Sequence, residues 1–237
     1  MRIAILETGS PPERLAASHG DYPQMLQRLL APHGSRLSFY TVHAASGEAL
    51  PGVAEFDGLL ITGSPAGVYE EHDWIAPAEA LIREAAAAKR PQVGICFGHQ
   101  LMAKAFGGHV EKSDRGWGIG VHAYDVRAGR SWMRPAPARI SCAVSHQDQV
   151  VAAPQGAVTL ASSEFCPFAA LAYAQGPAVS FQMHPEFPHD YARALIDLRK
   201  ERFAPGLYDE ARASLAARTD SDVIARWIAN FYEEPAA

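Results

Sequence analysis

The stretch over residues 91–108 constrains this chain more than any other: Pro91-Gln92-Val93-Gly94-Ile95-Cys96-Phe97-Gly98-His99-Gln100, then Leu101-Met102-Ala103-Lys104-Ala105-Phe106-Gly107-Gly108. Its apolar residues change period at Cys96. Val93 to Ile95 reads as a short buried strand, and Leu101, Met102 and Ala105 fall on one face of a helix that a glycine pair ends. A buried strand feeding directly into a helix is half of a βαβ unit, so the chain is committed to an α/β fold. The joint is a sharp turn flanked as Gly94-Ile95-Cys96-Phe97-Gly98. Side chains two residues either side of such a turn would crowd it, so glycine is expected at both places.

The spacing is that of a nucleophile elbow with a thiol in place of the hydroxyl. Cys96 stands at a helix N-terminus, where free N–H groups and the helix dipole favour an anion. The competing reading is a small hydrophobe buried in a core strand, the commoner fate of a free cysteine.

The elements on either side extend the pattern. Residues 2–8 read as a buried first strand, 21–33 as a helix stopped by Gly34, 37–42 as a second strand and 56–62 as a third that breaks into Gly63-Ser64-Pro65. Residues 73–89 form a helix with Trp74, Ile75, Ala78, Leu81, Ile82 and Ala85 on one side. Strands and helices alternating at this spacing predict right-handed crossovers and an open, mainly parallel twisted sheet flanked by helices. Function in such sheets gathers at the carboxyl ends of the strands, where both Gly63-Ser64-Pro65 and Cys96 fall. From 109 to 182 short β-rich segments (121–126, 138–144, 157–162, 168–173 and 178–182) predict a more antiparallel region on or beside the sheet. After Pro188 the pattern is helical over 190–203, 208–217 and 222–232. The last helix carries Val223, Ile224, Trp227, Ile228 and Phe231 on one face, with Thr219 or Ser221 as its cap.

Composition removes several classes of function. Net charge is −5, and the 21 Lys and Arg are scattered, so no electrostatic footprint for nucleic acid is present. No apolar run approaches membrane-spanning length, and Met1-Arg2-Ile3-Ala4-Ile5-Leu6-Glu7 is charged too soon for a signal peptide. Cys96, Cys142 and Cys166 are an odd number without a C-x-x-C pair. That usage fits a reducing cytoplasm and argues against a disulfide framework or zinc knuckle. Neither a metal nor a cofactor is expected.

A cysteine nucleophile needs an imidazole to take its proton and return it to the leaving group, and the imidazole needs an anion on its other nitrogen. Two segments offer this. Val179-Ser180-Phe181-Gln182-Met183-His184-Pro185-Glu186 ends a strand in a His two residues from an acid, and Ser145-His146-Gln147-Asp148 offers a second pair. Spacing alone does not choose between His184 with Glu186 and His146 with Asp148.

Three motifs in order over residues 57–187, Ile61-Thr62-Gly63-Ser64-Pro65, the Cys96 elbow through Gln100, and Gln182-Met183-His184-Pro185-Glu186, resemble the class I (triad) glutamine amidotransferases. The closest likeness is to the glutaminase domain of GMP synthetase and its free-standing relatives. The resemblance implies a flavodoxin-like amidotransferase domain over residues 1–190, with a C-terminal helical extension, 191–237, packed on it. It implies that Cys96 attacks the side-chain amide of glutamine, that His184 is the acid and base, and that Glu186 orients His184. A γ-glutamyl thioester then forms, ammonia leaves, and water releases glutamate. The oxyanion would sit between the backbone N–H groups of Phe97 and Ser64, the latter replacing the second glycine of the family's Gly-Gly-Pro turn. Gly63, Gln100, Ser145 and His146 match segments that line the glutamine pocket, which makes His146 a pocket residue.

Other chemistries fail on particular residues. A zinc deaminase would need P-C-x-x-C beside its H-x-E, which is absent. A DJ-1-like elbow carries His directly after the cysteine, where Phe97 stands. Gly63-Ser64-Pro65-Ala66-Gly67 lacks the Gly-Lys-Ser/Thr of a P-loop. No nucleotide-binding signature comes after Glu186, so either the ammonia passes to a separate synthetase subunit or no acceptor exists. In the second case the same site would serve a hydrolase or peptidase acting on a γ-glutamyl amide other than free glutamine. A non-catalytic regulatory module on this fold is the third reading, and it predicts an unreactive Cys96.

Overall fold

The computed structural model describes residues 1–234; the last three residues of the expected extension, 235–237, lie outside the described residues. The strands are β1 (Arg2–Leu6), β2 (Ser38–Val42), β3 (Gly58–Ile61), β4 (Gln92–Ile95), β5 (His109–Lys112), β6 (Gly118–Val126), β7 (Arg139–His146), β8 (Asp148–Ala152), β9 (Val158–Ser162), β10 (Ala170–Ala172) and β11 (Ala178–Phe181). The helices are α1 (Glu13–His19), α2 (Tyr22–Leu30), α3 (Ile75–Ala87), α4 (Phe97–Ala105), α5 (His189–Leu198), α6 (Leu207–Ser214) and α7 (Ser221–Glu233), with a short 3-10 turn, Lys200–Arg202, after α5.

Nine strands form one open mixed sheet in the order β2-β1-β3-β4-β11-β10-β9-β6-β7. The pairings from β2 through β11 are parallel, and those from β11 through β7 are antiparallel. Apart from β5 and β8, which pair with each other beside it, the β-rich region therefore continues the same sheet. Strand residues alternate between its faces, as the period of two demands. Ile3, Ile5 and Leu60 join the core under α2 and α7. Ala4, Leu6, Leu59 and Ile61 join the core under α3 and α4.

Helix ends follow local chemistry. Asp21 caps α2 in a reciprocal box: its carboxylate accepts from Gln24 N–H at 2.7 Å, and Gln24 Oε1 accepts from Asp21 N–H at 3.1 Å. The helix gives way at Leu30, whose carbonyl accepts from Gly34 N–H at 2.9 Å, so the end is earlier than the expected boundary. The expected cap of α7 is corrected. Asp220, not Thr219 or Ser221, holds the cap position, and its carboxylate accepts from Ser141 N–H at 2.7 Å instead of from the helix. Two elements were not expected, the helix α1 and the small antiparallel sheet of β5 with β8. No helix among the described residues is long and apolar enough to cross a membrane.

Three adjacent parallel strands, β3, β4 and β11, lie in the interior of the sheet. Their registers align Ile61 with Gly94 and Phe181 with Ile95. Neighbouring strands lie about 4.8 Å apart. The segments leaving their carboxyl ends, Gly63-Ser64, Cys96 and His184, consequently emerge side by side.

Candidate active site

The elbow is built as its glycines require. Cys96 has φ 51° and ψ −99°, a conformation that costs strain in a residue with a side chain. The surroundings hold it there: Cys96 N–H donates to Phe181 O at 2.8 Å, and Cys96 O accepts from Gln100 N–H at 3.1 Å in the first turn of α4. A Cβ on Gly94 would lie 2.5 Å from Gly98 O, and one on Gly98 would lie 2.5 Å from Ile61 O. Both contacts are with backbone, so neither position admits a larger residue without displacing the turn.

His184 is fixed on three sides. Its Nδ1 lies 2.7 Å from Glu186 Oε1, and since a carboxylate can only accept, Nδ1 carries the hydrogen. Its ring stacks on Phe187 at 3.9 Å between centroids and 6° between planes. Its Cε1 faces Gly63, where a Cβ would lie 2.9 Å from Cε1 and 3.8 Å from Cys96 Cβ. His184 N–H also donates to Ala143 O at 2.8 Å, tying the loop to β7. Nε2 remains for chemistry. The side chains of His184 and Glu186 are 4% and 0% exposed. Burial pulls the imidazole toward its neutral form, but the charges of Cys96 and Glu186 outweigh it and raise the His184 pKa to about 10.

The other pair left open by the sequence is resolved by its partners. His146 Nδ1 lies 3.1 Å from the backbone carbonyl of Asp148, not from its carboxylate. The Asp148 carboxylate faces the Tyr69 hydroxyl instead. Burial, with His122 and His184 nearby, lowers the His146 pKa to about 3 and keeps the ring neutral. His146 and Asp148 are therefore no acid–base dyad.

The loop after β3 keeps its shape with Ser64 in place of glycine. Ser64 is not among the residues of positive φ, so a side chain costs nothing there, and its Oγ accepts from Ala66 N–H at 3.1 Å. Thr8 braces the same loop by donating through Oγ1 to Thr62 O at 3.0 Å. Gly98 N–H donates to Thr62 O at 3.1 Å, locking the loop against α4. The N–H groups of Ser64 and Phe97 have no acceptor among the described residues.

Ser64, Cys96, Gln100, Ser145 and His146 line one cavity of about 200 Å³. Gln100 is more occupied than a free ligand-binding amide: its Nε2 donates to Asp148 O at 2.8 Å and to Gln182 Oε1 at 3.1 Å. Sequence reasoning missed Tyr69, Trp117, Arg199 and Arg202, which line the same cavity, and Gln182, whose Nε2 lies 3.6 Å from Cys96 Sγ. Only Gln182 had a signal, its place beside the His184 motif. Burial raises the thiols of Cys142 and Cys166, the latter to about 12, which leaves both protonated and structural. No cluster of metal-ligating side chains occurs among the described residues.

Known proteins resemble this chain in sequence and in fold. A family model described as glutamine amidotransferase class-I matches residues 18–196. A glutamine-hydrolyzing GMP synthase subunit of Archaeoglobus fulgidus is 30% identical over 172 residues, covering 73% of this chain and 87% of that one. Gamma-glutamyl peptidase 3 of Arabidopsis thaliana is 24% identical over 226 residues, covering 90% and 89%. The crystal structure of a glutamine amidotransferase from Methylobacillus flagellatus superimposes with a TM-score of 0.78 at 22% identity, over 98% of this chain and 94% of that one. With its family model matched over most of its length, this chain belongs to the class I glutamine amidotransferases.

Proposed function

We propose that the protein hydrolyses the γ-amide of glutamine through a covalent thioester on Cys96, giving glutamate and ammonia. The observation that carries this reading is the convergence of Cys96, at the mouth of a helix, with a His184 that Glu186 orients from its far side. On this reading His184 Nε2 already holds the proton taken from Cys96, as its raised pKa favours, and the resulting thiolate attacks the γ-carbonyl carbon. The carbonyl π electrons move onto oxygen, which the N–H groups of Ser64 and Phe97 receive. The intermediate collapses, the C–N bond breaks, and His184 delivers its proton to departing ammonia. Water then loses a proton to His184 and attacks the thioester, and the C–S bond breaks as glutamate leaves and Cys96 is restored. Glu186 holds Nδ1–H throughout, fixing the tautomer and balancing the imidazolium. Gln100, Ser145 and His146 shape the wall against which the donor lies, while Gly63 stands against His184 and Cys96 rather than in that wall. The domain comprises residues 1–190, and the segment from 191 is an extension packed on it that reaches the cavity through Arg199 and Arg202.

A second reading uses the same triad on γ-glutamyl peptides, with an amino acid or peptide as leaving amine. Two guanidinium groups at the cavity favour it. Arg199 donates to Ser145 Oγ at 3.0 Å, and neither Arg199 nor Arg202 forms an ion pair among the described residues. Unpaired cations beside a cavity suit a donor whose leaving group bears a carboxylate. The relatives split the same way, into a glutamine-hydrolyzing GMP synthase subunit and a γ-glutamyl peptidase. The deciding experiment measures glutamate release by the purified chain from glutamine and from γ-glutamyl dipeptides, with Cys96→Ala as blank. Turnover of glutamine above the blank supports the first reading, and faster turnover of dipeptides supports the second. Undiminished release by Cys96→Ala refutes both.

A further inference from the structure

We propose that Gln182 is a positioning residue for the nucleophile, presenting an N–H to Cys96 Sγ, with the direction of that contact set from the cavity wall by the Asp148 carbonyl through Gln100. It rests on Cys96 being the nucleophile and adds to that reading how the sulfur is held.

The direction follows from one group that cannot change its role. A backbone carbonyl accepts and never donates. Gln100 Nε2 lies 2.8 Å from Asp148 O, so this end of the Gln100 amide is its NH2. The same nitrogen lies 3.1 Å from the Gln182 side chain, and facing a donor, that atom is Oε1. The opposite end of the Gln182 amide is then NH2, and it lies 3.6 Å from Cys96 Sγ. Turning the Gln182 amide over would set its NH2 against that of Gln100 and leave oxygen facing the sulfur. Gln182 is fully buried and Gln100 is 3% exposed, so water does not stand in for a missing partner.

The chemistry of sulfur gives this contact its purpose. A thiol is a weak acceptor, whereas a thiolate accepts a strong, charge-assisted hydrogen bond. A donor fixed on the sulfur thus favours the anion and aims its remaining lone pairs away from Gln182. His146 Nδ1–H reaches the same Asp148 carbonyl at 3.1 Å. The wall that would contact the donor and the relay that holds the sulfur therefore share an anchor. At Gln182 the relay uses the side chain alone: its backbone N–H is spent on Ala169 O at 2.8 Å, so replacing the side chain leaves the sheet bonded.

The test is the pH profile of iodoacetamide alkylation at Cys96 in the full chain, read by peptide mapping and compared with glutamate-release kinetics. Cys96→Ala gives the background from Cys142 and Cys166. For Gln182→Met, which keeps length and loses the donor, alkylation is expected to shift upward by about one pH unit, and kcat to fall about tenfold or more with KM within about twofold. Gln100→Met, which frees the Gln182 amide to turn, is expected to shift the profile in the same direction by less, and it carries the test should Gln182→Met fail to fold. A folded Gln182→Met with the wild-type profile, or an unshifted Gln100→Met profile where only that variant folds, overturns the proposal. Undiminished glutamate release by Cys96→Ala would instead overturn the nucleophile itself.

Discussion

Gly63→Ala tests whether the position of His184 matters, because it adds one methyl group at one known place. The new Cβ would stand 2.9 Å from His184 Cε1, whereas carbon atoms settle at about 3.5–4.0 Å. The overlap is therefore about 0.6–1 Å. The ring has nowhere simple to go, since Phe187 covers a face at 3.9 Å and Glu186 holds Nδ1 at 2.7 Å. Gly63 does not have positive φ, so alanine adds no backbone strain and the effect is steric. A displacement approaching 1 Å costs on the order of 100-fold when the displaced group takes part in the reaction. We expect kcat/KM for glutamate release to fall by about 10- to 100-fold, with a loss of about 1–3 kcal/mol in unfolding free energy from overpacking. Gly129→Ala is the control, because a Cβ there meets nothing within 4 Å. Wild-type kcat/KM in a folded Gly63→Ala protein would refute the placement of His184 in the reaction.

Three further outcomes rest on the same geometry. His184 is raised to about 10 against an unfolded value near 6.5, so its contribution to stability is full below about pH 6.5 and is lost as pH rises toward 10; in Glu186→Gln that loss, read from urea midpoints across this window, should shrink, and an unchanged pH dependence would contradict the role of Glu186. Replacing Arg199 and Arg202 together by Ala should lower kcat/KM for γ-glutamyl dipeptides about tenfold more than for glutamine, and equal losses would count against a leaving-group carboxylate at this rim. Trp227→Ala, which empties a fully buried site and removes the 2.7 Å bond from Nε1–H to Pro135 O, should cost about 3–5 kcal/mol by denaturant titration, and a loss below about 1 kcal/mol would mean that α7 contributes little to the core.

The parts legible in the sequence were those whose cause is local. The elbow could be read because Gly94 and Gly98 answer a crowding that two residues of chain create, and the distances at both positions bear this out. The parallel strands could be read from unbroken apolar runs, and α2 from the apolar residues of its buried face and the Gly34 that follows it. The rest depends on partners distant in sequence. β5, His-Val-Glu-Lys, has one buried residue and pairs with β8 some forty residues later, so no local pattern announces it. α1 buries none of its residues and so lacks an apolar stripe, although Pro12 before it and Gly20 after it were available signals. Spacing left His146 with Asp148 open because a sequence does not tell a carboxylate from a backbone carbonyl as the partner of a ring nitrogen. The stacking of Phe187 on His184, the relay through Gln100 and Gln182, and the approach of Arg199 to Ser145 all join segments that only the folded sheet brings together.

If Cys96 is the nucleophile, a γ-glutamyl group passes through it during turnover. Rapid acid quench of the protein during turnover of glutamine or a γ-glutamyl dipeptide, with intact mass and peptide mapping of the quenched chain, tests it most directly. The expected adduct has the mass of glutamate less one water, is confined to the peptide holding Cys96 and is absent from Cys96→Ala. Steady glutamate release without that adduct under conditions that trap thioesters, or an adduct on Cys142 or Cys166, would contradict that role for Cys96.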